Sequence, residues 1–184
     1  MISNNARDGF DYMFMQGIKG GLVASPEDNC EISVLPDLSE LRETKLVILT
    51  VSSYLFRLMV LIYFTPDQAT KEHFARVNKS PVEAMSEQAF DDAISECGNI
   101  SCGILNRELA HFFPNIGMST PNILDRDCSS YLEKLNTGHV QHLRVDINET
   151  IHFHASLCVC AYADLDFKVE MSEEEASTGE LELF

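Results

Sequence analysis

The sequence predicts an α+β fold, a mostly antiparallel sheet with two long helices packed on one face. Three observations point there. Leu46 to Phe64 is a β-branched and aromatic apolar run interrupted by Ser52-Ser53, which reads as a hairpin. His139 to Tyr162 repeats that pattern around Asn148-Glu149. Segments with apolar residues at helical spacing precede both hairpins. Helices and hairpins in this order bury their apolar faces as two layers. A chain of 184 residues with 45% apolar content has room for one domain with a sizeable core.

Taken in order, the first helix is expected over Asn5 to about Ile18, with Phe10, Met13, Phe14 and Ile18 on one face. Gly17, Gly20 and Gly21 are expected to break it. A polar connection without strands follows, through Ser25-Pro26-Glu27-Asp28 and Pro36-Asp37. Lys45–Val51 and Tyr54–Phe64 are the first two strands. Thr65-Pro66-Asp67-Gln68 reads as a helix start, with Thr65 as cap, Pro66 at the first helical position and Gln68 three after the cap. That short helix should reach about Val77. Ser80-Pro81-Val82-Glu83 repeats the start signal, and a long helix is expected from about Ser86 until shortly before Pro114. His139–Ile147 and Ile151–Tyr162 complete the set of strands. No internal repeat or linker divides the chain, so residues 1–170 read as one domain and 171–184 as an acidic tail.

The formal charge of −16 excludes a nucleic-acid backbone as the natural partner. Part of it is concentrated between Asp164 and Phe184, where eight acids face one base, Lys168. From Glu173 onward little remains to bury, which reads as a solvated tail. Met1 to Asp8 lacks a basic-then-apolar start, so a cytoplasmic protein with six reduced cysteines is expected. Leu46 to Phe64 is long enough to cross a membrane. Arg57 at its centre would cost roughly 2.5–3.5 kcal/mol on insertion scales, and a hairpin fits better.

The residues richest in chemical content lie on the long helix. Glu96 and Asn99 are three apart, so their side chains sit about 60° from each other on the cylinder. Phe90, Ala93, Ile94, Cys97, Ile100, Ser101 and Ile104 form an apolar stripe on the other side. Burying that stripe aims a carboxylate and an amide outward together. Gly98, Asn99 and Gly103 are poor helix formers, the glycines by about 1 kcal/mol each relative to Ala. Gly103 falls near the Glu96–Asn99 face, where a missing side chain admits close approach.

Glu96-x-x-Asn99-x-x-x-Gly103, followed by Ser119-x-Pro121-x-Ile123, resembles the CheC/CheX family of chemotaxis phosphatases. The hairpin and short helix at Lys45 to Val77 fall in that family's order, so the resemblance extends over roughly residues 5–165. It implies the CheC-like fold and dephosphorylation of the aspartyl phosphate of a CheY-like response regulator. Asn99 would orient the attacking water, and Glu96 would pair with the receiver's active-site lysine. Asp92 and Gly103 would lie at the partner contact. Phosphoryl transfer suits such a site, because it needs positioning and charge stabilisation more than covalent help. No cofactor of the chain's own is implied; a magnesium ion would belong to the receiver. Some family members carry a second Glu-x-x-Asn on the first helix. Asn5 to Ile18 contains no Glu, which implies one active face, closer to CheX than to CheC. A homodimer is expected by the same resemblance. The alternative is a non-catalytic module of the same fold that binds a receiver or a flagellar-switch component.

A third reading uses His152-x-His154-x-Ser156-x-Cys158-x-Cys160, one parity of the last strand. Two His so spaced could share a zinc ion. Residues four apart on a strand stand about 13 Å from each other, too far for Cys158 to join His154 at one ion. A half-buried sheet face, meeting another subunit, fits this parity better, and no metal is expected. Cys97 and Cys102 read as inert buried thiols.

Overall fold

The computed structural model describes residues 1–170, and the acidic tail expected over 171–184 lies outside the described residues. Helix α1 spans Asn4–Leu22, and Ser3 caps it by accepting the Ala6 N–H at 3.1 Å. Strand β1 covers Cys30–Leu35, β2 Lys45–Ser52 and β3 Phe56–Phe64. Helix α2 runs over Gln68–Val77, and α3 over Glu87–Leu109 with Ser86 as its cap. Strands β4 (Gly117–Met118), β5 (Asn122–Asp125), β6 (His139–Ile147) and β7 (Ile151–Ala161) follow.

Among the described residues these seven strands form one sheet in the order β1-β6-β7-β3-β2-β4, with β5 also paired to β2. Each of these pairings is antiparallel. The two hairpins lie where the sequence puts them. Ser53 closes the first by donating its N–H to the Phe56 carbonyl at 2.9 Å. Asn148 and Glu149 close the second with φ of 53° and 55°, the positive values that a type I′ turn requires. No helix is long and apolar enough to cross a membrane among the described residues, and Leu46–Phe64 is two strands.

The main core lies between α1, α2, α3 and one sheet face. Phe10, Phe14, Phe56, Phe64, Phe74, Phe90 and Phe153 are all buried there. Each such ring contributes on the order of 1.5–3 kcal/mol by leaving water. A smaller cluster of Leu41, Leu46, Met59, Leu61, Tyr63 and Cys158 fills the opposite face. It is covered by the chain itself, through Leu38, Leu41 and the 3-10 segment Arg126–Lys134 that carries Cys128 and Leu132.

Four expectations need correction. α1 does not stop at its glycines; it runs through Gly17, Gly20 and Gly21 to Leu22. These residues form the surface on which α3 rests, since a Cβ on Gly17 would stand 2.6 Å from the Ser101 carbonyl oxygen. The connection after α1 contains β1, an edge strand held by β6. The cap of α2 is Asp67 and not Thr65, because the Asp67 carboxylate accepts the Thr70 N–H at 2.9 Å. Gln68 then bonds Glu72 instead of reaching back to a cap. The parity of β7 that carries His154, Ser156 and Cys158 is buried within the subunit, beneath residues 38–43 and 128–132.

Candidate functional site

The rotation of α3 is set by Gly98. A Cβ there would stand 2.6 Å from Leu49 Cδ1 and 3.7 Å from both Val47 methyls, so the bare backbone lies directly on β2. Cys97 and Ser101 turn towards α1, where a Cβ on Gly21 would meet the Cys97 carbonyl at 2.6 Å. Ile94, Cys102, Leu105 and Leu109 complete the buried side. With sheet and α1 each claiming a side, the ridge left to solvent is Asp92, Glu96, Asn99, Ile100 and Gly103.

Glu96 is exposed and Asn99 half-buried on this ridge. The Asn99 amide donates to Glu96 Oε2 at 3.3 Å, at the long end for such a bond and readily exchanged for water or a partner. A Cβ on Gly103 would meet nothing within 4 Å, so the surface beyond Asn99 is open. One turn before Glu96, Asp92 accepts a hydrogen bond from Gln88 at 2.8 Å. The structure thus brings Glu96, Asn99 and Gly103 onto one side with Asp92 adjoining. Asp92 and Glu96 also border a groove of about 450 Å³ between α3 and the segment after α2.

Ile100 is where sequence and structure part. Helical spacing assigns it to the buried stripe, yet it is 38% exposed, and the sheet-facing place goes to Gly98. A glycine in mid-helix is the signal that points to such close packing. The ridge therefore carries an apolar side chain beside its acid and amide.

Ser119 and Pro121 form an arch between β4 and β5 on the free side of β2. Ser119 Oγ accepts the Thr50 N–H at 3.0 Å, and the Ser119 N–H donates to the Thr50 carbonyl at 2.9 Å. Thr50 follows Leu49, the residue under Gly98, and α3 touches both β4 and β5. The arch is thereby tied to the strand beneath the Glu96–Asn99 turn.

His152 and His154 do not form a comparable site. His154 is buried, with Nδ1 2.5 Å from Glu43 Oε1, whereas His152 is exposed. Burial pushes the Glu43 carboxyl up, but the hydrogen bond with His154, together with those from the Glu43 and Arg42 backbone, outweighs it and leaves the group below its usual value. Among the described residues no group of three His, Cys, Asp or Glu is placed to hold a metal ion. All six cysteines are free, and burial pushes the Cys97 and Cys102 thiols up to about 12, far from the reactive thiolate.

The antiparallel sheet with α1 and α3 paired on one face is the CheC-like fold. Solved structures match it over most of their length. A CheC-like superfamily protein from Shewanella sp. PV-4 is 13% identical, with a TM-score of 0.59 over 83% of this chain and 97% of that one. The chemotaxis protein CheX from Vibrio vulnificus is 16% identical, with a TM-score of 0.61 over 83% and 99%. The CheX–CheY–BeF3–Mg2+ complex from Borrelia burgdorferi gives 11% identity and a TM-score of 0.60 over 83% and 96%. At these identities the likeness is one of fold. No family model matches the chain, and no curated protein matches it.

Proposed function

We propose that this protein is a CheX-like phosphatase that hydrolyses the aspartyl phosphate of a CheY-like response regulator. The observation that carries this reading is the exposed Glu96–Asn99 turn, its two polar groups adjacent and its neighbour Gly103 leaving open space. A fold shared with CheX, including one solved in complex with CheY, supports it. Glu96 pairs with the receiver's lysine and fixes the docked orientation. The Asn99 amide reaches the acyl phosphate and holds a water in line with the bond to the aspartyl oxygen. The water oxygen bonds to phosphorus as that bond breaks, giving inorganic phosphate and the free carboxylate. Magnesium belongs to the receiver, where it neutralises charge on the phosphoryl oxygens. This chain contributes alignment, the part of catalysis that a rigid helix supplies well.

The strongly acidic chain, with a formal charge of −16, favours a second reading, in which the ridge binds a receiver or a flagellar-switch component without turnover. A phosphate-release assay with the cognate receiver separates the two. Asn99→Ala should abolish stimulated release without lowering the thermal melt, since Ala is the better helix former. Release equal to that of wild type would overturn the catalytic assignment, and receiver binding by wild type without faster release would favour the second reading. A homodimer, expected from the same resemblance, belongs to this proposal and is read from the mass in solution.

A further inference from the structure

We infer that the groove beside Glu96 seats a basic side chain from the same receiver, and so selects among receivers; this rests on the phosphatase reading above. Its lining combines small and apolar side chains, Ala84, Met85, Ala89 and Ala93, with the polar Asn78 and Ser80. Asp92 and Glu96 also line it, and both are exposed. Among the described residues neither enters an ion pair. Like charges four apart on a helix repel each other, and a cation placed between them removes that repulsion. The groove therefore has a defined electrostatic preference, reinforced by a chain charge of −16.

The choice of occupant follows from Glu96, which belongs to both features. A protein that brings an acyl phosphate to Asn99 must cover Glu96, and with it the mouth of the groove. A basic side chain reaching Asp92 lays its aliphatic stem over Ala89 and Met85, as long cationic side chains do on apolar surfaces. A receiver with an acid or a bulky polar group at that point meets Asp92 as a like charge. The groove adds discrimination without touching the reacting atoms.

The test uses a CheY-like receiver from the same genome, held active with beryllofluoride and Mg2+, titrated against wild type, Ala89→Arg and Asp92→Asn. Phosphate release by wild type and Asn99→Ala is measured in parallel. Ala89→Arg fills the groove with bulk and positive charge, and its Kd should rise at least about tenfold. Asp92→Asn, a surface change that spares the fold, should raise Kd about threefold at low salt, the difference closing at high salt. Wild-type affinity in either folded variant overturns the groove assignment and leaves the phosphatase reading standing. Full phosphate release by Asn99→Ala overturns that reading instead, and a receiver that does not bind wild type overturns both.

Discussion

The backbone of Gly17 lies against Ser101, so closely that a Cβ on the glycine would stand 2.6 Å from the Ser101 carbonyl oxygen. Gly21, one turn on, has the same relation to the Cys97 carbonyl. These contacts press α1 and α3 together and hold the back of the helix that carries Glu96 and Asn99. Gly17→Ala gains up to about 1 kcal/mol in helix propensity. The atom it meets is backbone and cannot rotate away, so overpacking costs about 1–3 kcal/mol and prevails. Net destabilisation is expected, read as a lower urea midpoint with an unchanged slope.

Gly103 gives the opposite sign. Its missing Cβ faces open space, so Gly103→Ala should raise stability by up to about 1 kcal/mol. The same methyl enters the face that a docked receiver covers, and small displacements of the reacting groups are costly. Phosphate release should fall at least about tenfold while the melting temperature rises. A variant that is stabilised and fully active would show that the receiver does not approach Gly103.

Much of this arrangement was legible because it is local. The hairpins at Lys45–Phe64 and His139–Ala161 announce themselves by residue type. Helix α3 begins about where expected, although its cap is Ser86 and the start signal at Ser80-Pro81-Val82-Glu83 belongs to a separate 3-10 turn. The outward pairing of Glu96 with Asn99 follows from helical geometry alone. The misses are tertiary. Cys30–Leu35 is an edge strand of weak alternation that pairs with residues more than a hundred positions away. Glycines in α1 read as breakers because propensity takes no account of a neighbouring helix. Ile100 reads as core because an apolar stripe does not reveal that Gly98, having no side chain, takes the place nearest the sheet. The cover over the face of the sheet that carries His154 comes from Leu38 and Leu41, and the partner of His154 is Glu43, all scattered among polar and turn residues.

His73 couples the end of α1 to pH. Its Nε2–H donates to the Leu22 carbonyl at 2.8 Å, capping α1, while the ring packs against Phe74 and Phe153. Burial pulls the imidazole below its usual 6.5, and nearby Arg76 adds to the shift, against the opposing effects of the Leu22 bond and Asp28. The folded state therefore prefers the neutral ring, and the unfolded chain binds the proton more readily. The stabilisation is complete above the unfolded value and is lost as pH falls through the lower folded one. Urea unfolding of wild type should show stability declining as pH drops below about 6.5. His73→Gln, which keeps a donor but does not titrate, should make that part of the profile shallower, with the remainder coming from His142, which burial also holds below its usual value.

Glu96 is expected to act through charge, and a neutral replacement isolates that role. Glu96→Gln keeps the length of the side chain and an oxygen able to accept from Asn99, so α3 and the ridge should be unaltered. The proposed ion pair with the receiver's lysine is lost. Such contacts at an exposed rim act mainly on encounter and orientation and weaken as salt rises. The Kd for an active receiver should therefore increase at low ionic strength and converge on that of wild type at high ionic strength. Turnover at saturating receiver should fall less than in Asn99→Ala, since the amide still holds the water. An affinity deficit that persists unchanged at high salt would mean that Glu96 works by shape or hydrogen bonding, and the lysine pairing would have to be abandoned.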